Sequence, residues 1–309
     1  MNFHTKTSGE NGHSCPFRTL ETDKNVRSPL NIKTKSKTRV LGLALGSGGA
    51  RGLAHVGVMR ALRESGLEPD VIAGTSAGSI VGAAYAAGRM DALEEVLDSM
   101  DWRVVAGLFI EFGFNKDGLL KGTRVMKFLK EVIPTENFGA LKIPLAMVAT
   151  DLDGEREFVF RAGPVHHAMR ASIAIPGVFT PVQHEGRLLA DGGLVNPVPV
   201  SVARAMGATH VIAVDINTRC GKISDDEKDA DKRRAVPSVF TILTRSFRLY
   251  ENALTRALLE QSPPDILIAP PVGHVQALDF LHAKPCVHEG YVAAMRAINE
   301  CPTSKVLSP

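Results

Sequence analysis

The sequence predicts a three-layer α/β fold built around a mostly parallel central sheet. Three observations predict it. Short apolar runs of strand length alternate with longer stretches of helical periodicity. The first two runs each lead through a glycine-bearing turn into a helix, the order that parallel sheets use. The 309 residues are 44% apolar and 22% charged, an ordinary globular composition with length for one large domain.

The elements follow in order. Val40–Leu45 is a short apolar strand, and Gly46-Ser47-Gly48-Gly49-Ala50-Arg51-Gly52 is a glycine-rich loop. Leu53, Val56, Met59 and Leu62 then recur three residues apart on a helix that Gly66 ends. A second apolar run, Pro69-Asp70-Val71-Ile72-Ala73, leads into Gly74-Thr75-Ser76-Ala77-Gly78 and a small-residue helix, Ser79–Ala87. Residues 91–132 read as mostly helical. Ile143–Ala149 is a further strand ending at Thr150-Asp151, with Arg156–Phe160 as its hairpin partner at an edge. A short helix, Val165–Ser172, precedes a proline-marked loop from Ile175 to Val182. Arg187–Ala190 runs into Asp191-Gly192-Gly193. A helix near Pro199–Met206, a strand His210–Asp215, a long amphipathic helix Val239–Leu259, a strand Asp265–Ile268 and a helix Glu289–Ile298 complete the order.

Charge is unevenly spread. Net charge is +3, too small to argue for nucleic-acid binding over the whole chain. Residues 1–40 hold eight Lys and Arg against three Asp and Glu, so the remainder is slightly acidic. Residues 1–37 therefore read as a flexible basic leader. A sharper reading makes it an arm for peripheral contact with an anionic membrane surface, at about 1 kcal/mol per basic residue near lipid. The folded domain is expected over residues 38–300, with 301–309 as a tail. Residues 222–234 are charged except for Ile223, Ser224 and Ala230, and read as a mobile, solvated loop. No signal peptide or bilayer-spanning run is visible. Cys15, Cys220, Cys286 and Cys301 lack metal-type spacing and read as reduced thiols of a cytoplasmic protein.

Three motifs carry chemistry. A serine between glycines at a strand-to-helix turn is how a hydroxyl becomes an exposed nucleophile, so Ser76 is the first candidate, with Gly74 and Gly78 making room around it. The glycine loop fails as a dinucleotide site, because the sixth position from Gly46 is Arg51 and no acidic ribose ligand ends the second strand. It fails as a phosphate-cradling NTPase loop for want of Gly-Lys-Ser/Thr. What remains is an oxyanion hole with the Gly48 and Gly49 N–H groups as donors, each worth about 3 kcal/mol of transition-state stabilisation. Arg51 would fix the loop or attract an anionic head group. Asp191-Gly192-Gly193 alone reads as a tight turn.

Together, in this order, the three motifs resemble the patatin-like phospholipase family, most closely its compact bacterial members, over about residues 39–299. The resemblance implies a patatin-like fold and a Ser-Asp dyad, with Ser76 as nucleophile and Asp191 as base, supported by Gly192 and Gly193. It implies hydrolysis of carboxylic esters in phospholipids, lysophospholipids or related lipids through an acyl-serine, with a lipid substrate and no cofactor. Ser47 departs from the family, which often has a glycine there; the later glycines are intact, so only the loop's edge is expected to alter. A free aspartate titrates near ~4, so burial must raise Asp191 for it to act near neutral pH.

A Ser-His-Asp triad would need a histidine. His210 opens a strand; His274, in a loop, is the best of His210, His274, His282 and His288. His55 reads as a buried helix residue, and the adjacent His166 and His167 would point apart rather than share a metal. Trp102, Val105, Leu108, Phe109, Phe112 and Phe114 read as core or as an interfacial lid. Ile173, Ile175, Pro176 and Phe179 are a second candidate lining, and Asp151 could support the dyad from a strand end. A triad esterase or thioesterase, and a non-catalytic membrane-associated regulator on the same fold, are the competing readings.

Overall fold

Alternation along one strand sorts the whole molecule into layers. The computed structural model describes residues 39–99, 120–218, 239–280 and 284–300, all within the unit Thr38–Pro309. Among them the strands are β1 (Leu41–Leu45), β2 (Val71–Thr75), β3 (Leu145–Asp151), β4 (Arg156–Phe160), β5 (Val182–His184), β6 (Arg187–Asp191), β7 (His210–Val214) and β8 (Ile266–Ile268). The helices are α1 (Leu53–Glu64), α2 (Ala77–Ala86), α3 (Met90–Ser99), α4 (Thr123–Val132), α5 (Val165–Ser172), α6 (Val200–Ala205), α7 (Val239–Gln261) and α8 (Pro285–Glu300).

Successive residues of a strand face opposite sides of the sheet. Leu41, Leu43 and Leu45 therefore share one face with Ile72, Met147 and Ile212, and pack on Met59 of α1, Val81 of α2, Met169 of α5 and Ala294 of α8. Ala44, Ala73, Ala146 and Ala213 look the other way, onto Val200 and Val202 of α6, with Leu259 of α7 against them. Small residues on this second face let the helical layer come close: a Cβ on Gly42 would lie 2.5 Å from that of Ala208. The result is the expected three layers.

Hydrogen-bonded neighbours link the strands as β5-β6-β3-β2-β1-β7-β8, with β4 also paired to β3. The pairs β1–β2, β1–β7, β2–β3 and β7–β8 are parallel, while β4, β6 and β5 add antiparallel pairs. Two elements differ from the sequence expectation. β5 starts at Val182, the last residue of the span read as a loop, and covers residues assigned to no element; it turns into β6 through Glu185 and Gly186, both at positive φ (49° and 76°), a hairpin conformation that Glu does not advertise. α8 begins at Pro285, four residues early, because proline suits a first helical position. The basic leader, the charged segment 222–234, the tail and the aromatic stretch Trp102–Phe114 lie outside the described residues.

The edge of β3 is the detail that positions the site. β2 pairs with its Leu145–Val148 part, and β6 pairs with Ala149–Asp151 further along. Residues 147–151 carry β4 as well, so β4 occupies the opposite edge, and β2 and β6 share one. They approach head to head. β2 leaves the sheet at Thr75, opposite Val148, and β6 ends at Asp191, opposite Ala149.

Candidate active site

Ser76 stands at the break between β2 and α2 with φ 54° and ψ −118°. A residue with a Cβ pays for such a conformation, so it persists only where its surroundings impose it. Here they do. The Ser76 N–H donates to Ser172 Oγ at 2.9 Å, and its carbonyl accepts from Ser79 N and Ser79 Oγ at 2.9 and 2.6 Å. The tightness needs the flanking glycines. A Cβ on Gly74 would lie 2.6 Å from the Gly78 carbonyl, and one on Gly78 would run into the Leu45 carbonyl.

The head-to-head meeting on β3 brings the serine to the aspartate. Ser76 Oγ donates to Asp191 Oδ2 at 2.6 Å, with both residues buried (3% and 1% exposed). The other carboxylate oxygen accepts from Gly193 N at 2.8 Å. The Asp191 backbone is tied by its N–H to Ala174 O and through its carbonyl to Thr150 Oγ1. Gly192 has no room for a side chain against the Val148 carbonyl. Burial raises the Asp191 carboxyl to about 6, against the hydrogen bonds from Ser76 and Gly193 that favour its charge.

The glycine loop is held on both flanks. Ser47 N–H donates to Pro197 O at 2.8 Å and Ala50 N–H to Ala277 O at 2.7 Å. Among the described residues, no backbone acceptor takes the N–H groups of Gly48 and Gly49 between them. His55 on α1 donates from Nε2 to the Gly46 carbonyl at 2.8 Å; full burial lowers it to about 4, so it is a neutral anchor. Arg51 is 2% exposed and donates to Val275 O at 3.1 Å; it fixes the loop from behind rather than facing an incoming head group. Burial lowers its guanidinium to about 10. Ser47, expected only to alter the loop's edge, instead donates to Glu251 Oε1 of α7 at 2.6 Å.

A cavity of about 140 Å³ opens beside Ser76. Gly49, Gly52 and Ala77 line it on the side of the loop and α2, and its surface is almost wholly apolar, with Leu97 of α3, Phe128 of α4, and Ile175 and Phe179 of the loop after α5 around it. Ile173 also lines it, whereas Pro176 does not. The volume is close to the ~150 Å³ of a dry apolar cavity that accepts benzene. The first N–H groups of α2 lack partners inside the helix and favour negative charge at this end of it.

Other candidates lie elsewhere. Among the described residues no histidine bonds Ser76 or Asp191. His274 is exposed and meets Pro271 O at 3.2 Å, and His288 is exposed on α8. His282 lies outside the described residues. The Asp151 carboxylate accepts from Gly154 N and pairs with Arg156 and Arg187, so it braces a turn rather than bonding Ser76 or Asp191. That turn hydrogen bond lowers its pKa first, with Arg156 and Arg187 adding to it against burial. His166 meets Ile133 O and His167 meets His184 Nδ1 at 3.0 Å. Among the described residues no three His, Cys, Asp or Glu side chains cluster closely enough to hold a metal.

A family model described as patatin-like phospholipase matches residues 43–204, from β1 through α6. The chain belongs to the patatin-like phospholipase family. It is 36% identical over 232 residues to an NTE family protein of Mycobacterium tuberculosis, across 75% of this chain and 63% of that protein. It is 33% identical over 195 residues to patatin-like phospholipase domain-containing protein 6 of Homo sapiens, across 61% of this chain and 14% of that protein. The chain thus spans less than two thirds of the length of either relative. VipD from Legionella pneumophila, a solved structure, aligns with TM-score 0.48 and 14% identity, covering 85% of this chain and 67% of that one.

The patatin-like match ends before α7, and so does the reach of its motifs. Glu251 lies beyond them, 4% exposed. Its only sequence signal is spacing: Phe247, Glu251 and Thr255 recur every fourth residue on the inward stripe of a long helix.

Proposed function

We propose that this chain is a serine lipid acyl hydrolase that cleaves carboxylic esters of phospholipids, lysophospholipids or related lipids. One observation carries the reading. A serine in a strained strand-to-helix turn donates to a buried carboxylate at 2.6 Å beside an apolar cavity. Family membership supports the same class of reaction.

The mechanism follows from the atoms. Asp191 Oδ2 accepts the Ser76 proton as Oγ attacks the ester carbonyl. Negative charge develops on the carbonyl oxygen, where the N–H groups of Gly48 and Gly49 and the start of α2 act as donors. Protonated Asp191 then returns the proton to the departing alkoxide, leaving acyl-Ser76. Water attacks the acyl carbon, Asp191 takes its proton, and the fatty acid leaves as Ser76 regains a hydrogen. Burial suits Asp191 to this task, since a base near 6 lies closer to neutral pH than a free carboxylate. The acyl chain would lie along Leu97, Phe128 and Phe179.

A fluorophosphonate probe tests the reading. The wild-type protein should be labelled at Ser76, located by peptide mass spectrometry, and should hydrolyse p-nitrophenyl esters and phospholipid vesicles. Asp191→Asn should abolish both. An unlabelled Ser76 together with no turnover on either substrate class would refute the proposal.

A further inference from the structure

The glycine loop and the Asp-Gly-Gly turn come from distant parts of the chain, and one buried carboxyl touches both. Glu251 Oε1 accepts from Ser47 Oγ at 2.6 Å. The same oxygen lies against Gly193 so closely that a Cβ there would overlap it, and that Cβ would also lie 3.1 Å from Asp191 Oδ1. Ser47 Oγ in turn accepts from Asn217 Nδ2 at 3.3 Å. We propose that Glu251 is a positioning residue: it locks the glycine loop to the Asp-Gly-Gly turn and so sets the loop N–H groups relative to Ser76. The inference rests on the reading of Ser76 as nucleophile and of the loop as its oxyanion hole.

Filling space does not account for this residue. A leucine or methionine would occupy the inward stripe of α7 without the cost of burying an acid. What only a carboxyl or amide supplies here is an acceptor for Ser47 beside the Gly193 backbone. The groups that act on it are Ser47 and Arg51 from the loop, Asp191 from the turn and Asp215 from the end of β7; on α7 itself Arg248 lies three residues before it and the buried Thr255 four residues after. Burial pushes Glu251 up to about 8, with the Asp191 and Asp215 charges adding and Ser47 and Arg51 opposing. Near neutral pH it therefore carries a proton. The tie is then a neutral hydrogen bond and sets no second negative charge beside Asp191.

The test compares Ser47→Ala, Glu251→Ala, Glu251→Gln and the double alanine variant on p-nitrophenyl butyrate. Each single alanine change should lower kcat about 10- to 100-fold, somewhat less than loss of a whole oxyanion donor. KM should move less than about threefold, because the cavity is untouched. The double variant should be no worse than Glu251→Ala, since both break one link. Glu251→Gln keeps the acceptor and should recover most of kcat. In hydrogen-exchange mass spectrometry, peptides covering 46–52 and 192–195 should exchange faster in both alanine variants. Losses that multiply in the double variant, a rise in KM at constant kcat, or a glutamine as damaging as alanine would each overturn the proposal. Unchanged exchange in both peptides would overturn it without reference to turnover. A wild-type protein lacking turnover and Ser76 labelling would instead sink the functional reading beneath it.

Discussion

The two sides of the glycine loop differ in kind. Towards Ser76 lies an apolar cavity walled by side chains such as Leu97, Phe128 and Phe179. Behind the loop lies a buried polar network of Ser47, Glu251, Asn217, Asp215 and Arg51. The contrast has a physical reason. In the proposed mechanism the loop N–H groups must point at one atom, and apolar contacts, which are non-directional, do not fix such a direction. Those groups are held from the rear by hydrogen bonds, which have geometry. On that mechanism the front can vary in shape with the ester bound, while the rear tolerates little change.

The largest expected effect concerns the dyad at the boundary between these sides. Ser76→Ala and Asp191→Asn should each lower kcat about 10⁴-fold, and the double variant should lose little more, because in the proposed mechanism the two act as one unit. Initial rates on p-nitrophenyl butyrate decide it. A double variant whose losses multiplied would separate the serine from the aspartate.

A second effect runs opposite to the first. Burial raises Asp191 from 3.8 to about 6, so ionising it costs stability. Below pH ~4 the group is neutral folded and unfolded, and the cost is absent. As pH rises from ~4 to ~6 the unfolded chain ionises first, and stability falls. Asp191→Asn should therefore add up to about 3 kcal/mol of unfolding free energy at pH 8 and almost nothing at pH 4. Urea unfolding at the two values measures it, and a gain independent of pH would break the account. A gain confined to the higher pH would mean that the site keeps an ionised Asp191 at the expense of stability.

The pH dependence of rate separates the front from the rear. kcat/KM should rise about tenfold per unit towards pH ~6, as Asp191 loses its proton, and fall again above ~8, as Glu251 ionises beside it. In Glu251→Gln the alkaline fall should vanish while the acid limb remains. An alkaline limb that persisted in that variant would belong to another group.

The same contrast governs what the sequence could reveal. β1, β2 and β3 are legible because apolar runs between turns are local signals, and Val165–Ser172 because its helical spacing is intact. β5 is hidden by a turn that uses Glu185 at positive φ. Ser76 and Asp191 are each legible as motifs, yet their meeting depends on β2 and β6 sharing one edge of β3, which no periodicity encodes. The polar network is the least legible part. A single acid in an amphipathic helix reads as solvated, and only tertiary packing turns Glu251 inward towards Ser47.

The smallest effect tests the apolar front alone. Phe128 is half-buried on α4 and forms part of the cavity wall. Phe128→Ala should lengthen the space available to an acyl chain without touching the loop, the turn or Glu251. Each further methylene buried is worth about 0.8 kcal/mol, or about fourfold in kcat/KM. The ratio of decanoate to butyrate ester turnover should therefore rise several-fold in the variant, with the pH profile unmoved. A ratio that stayed constant would place the acyl chain elsewhere. A shifted pH profile would show that the two sides of the loop are coupled through it.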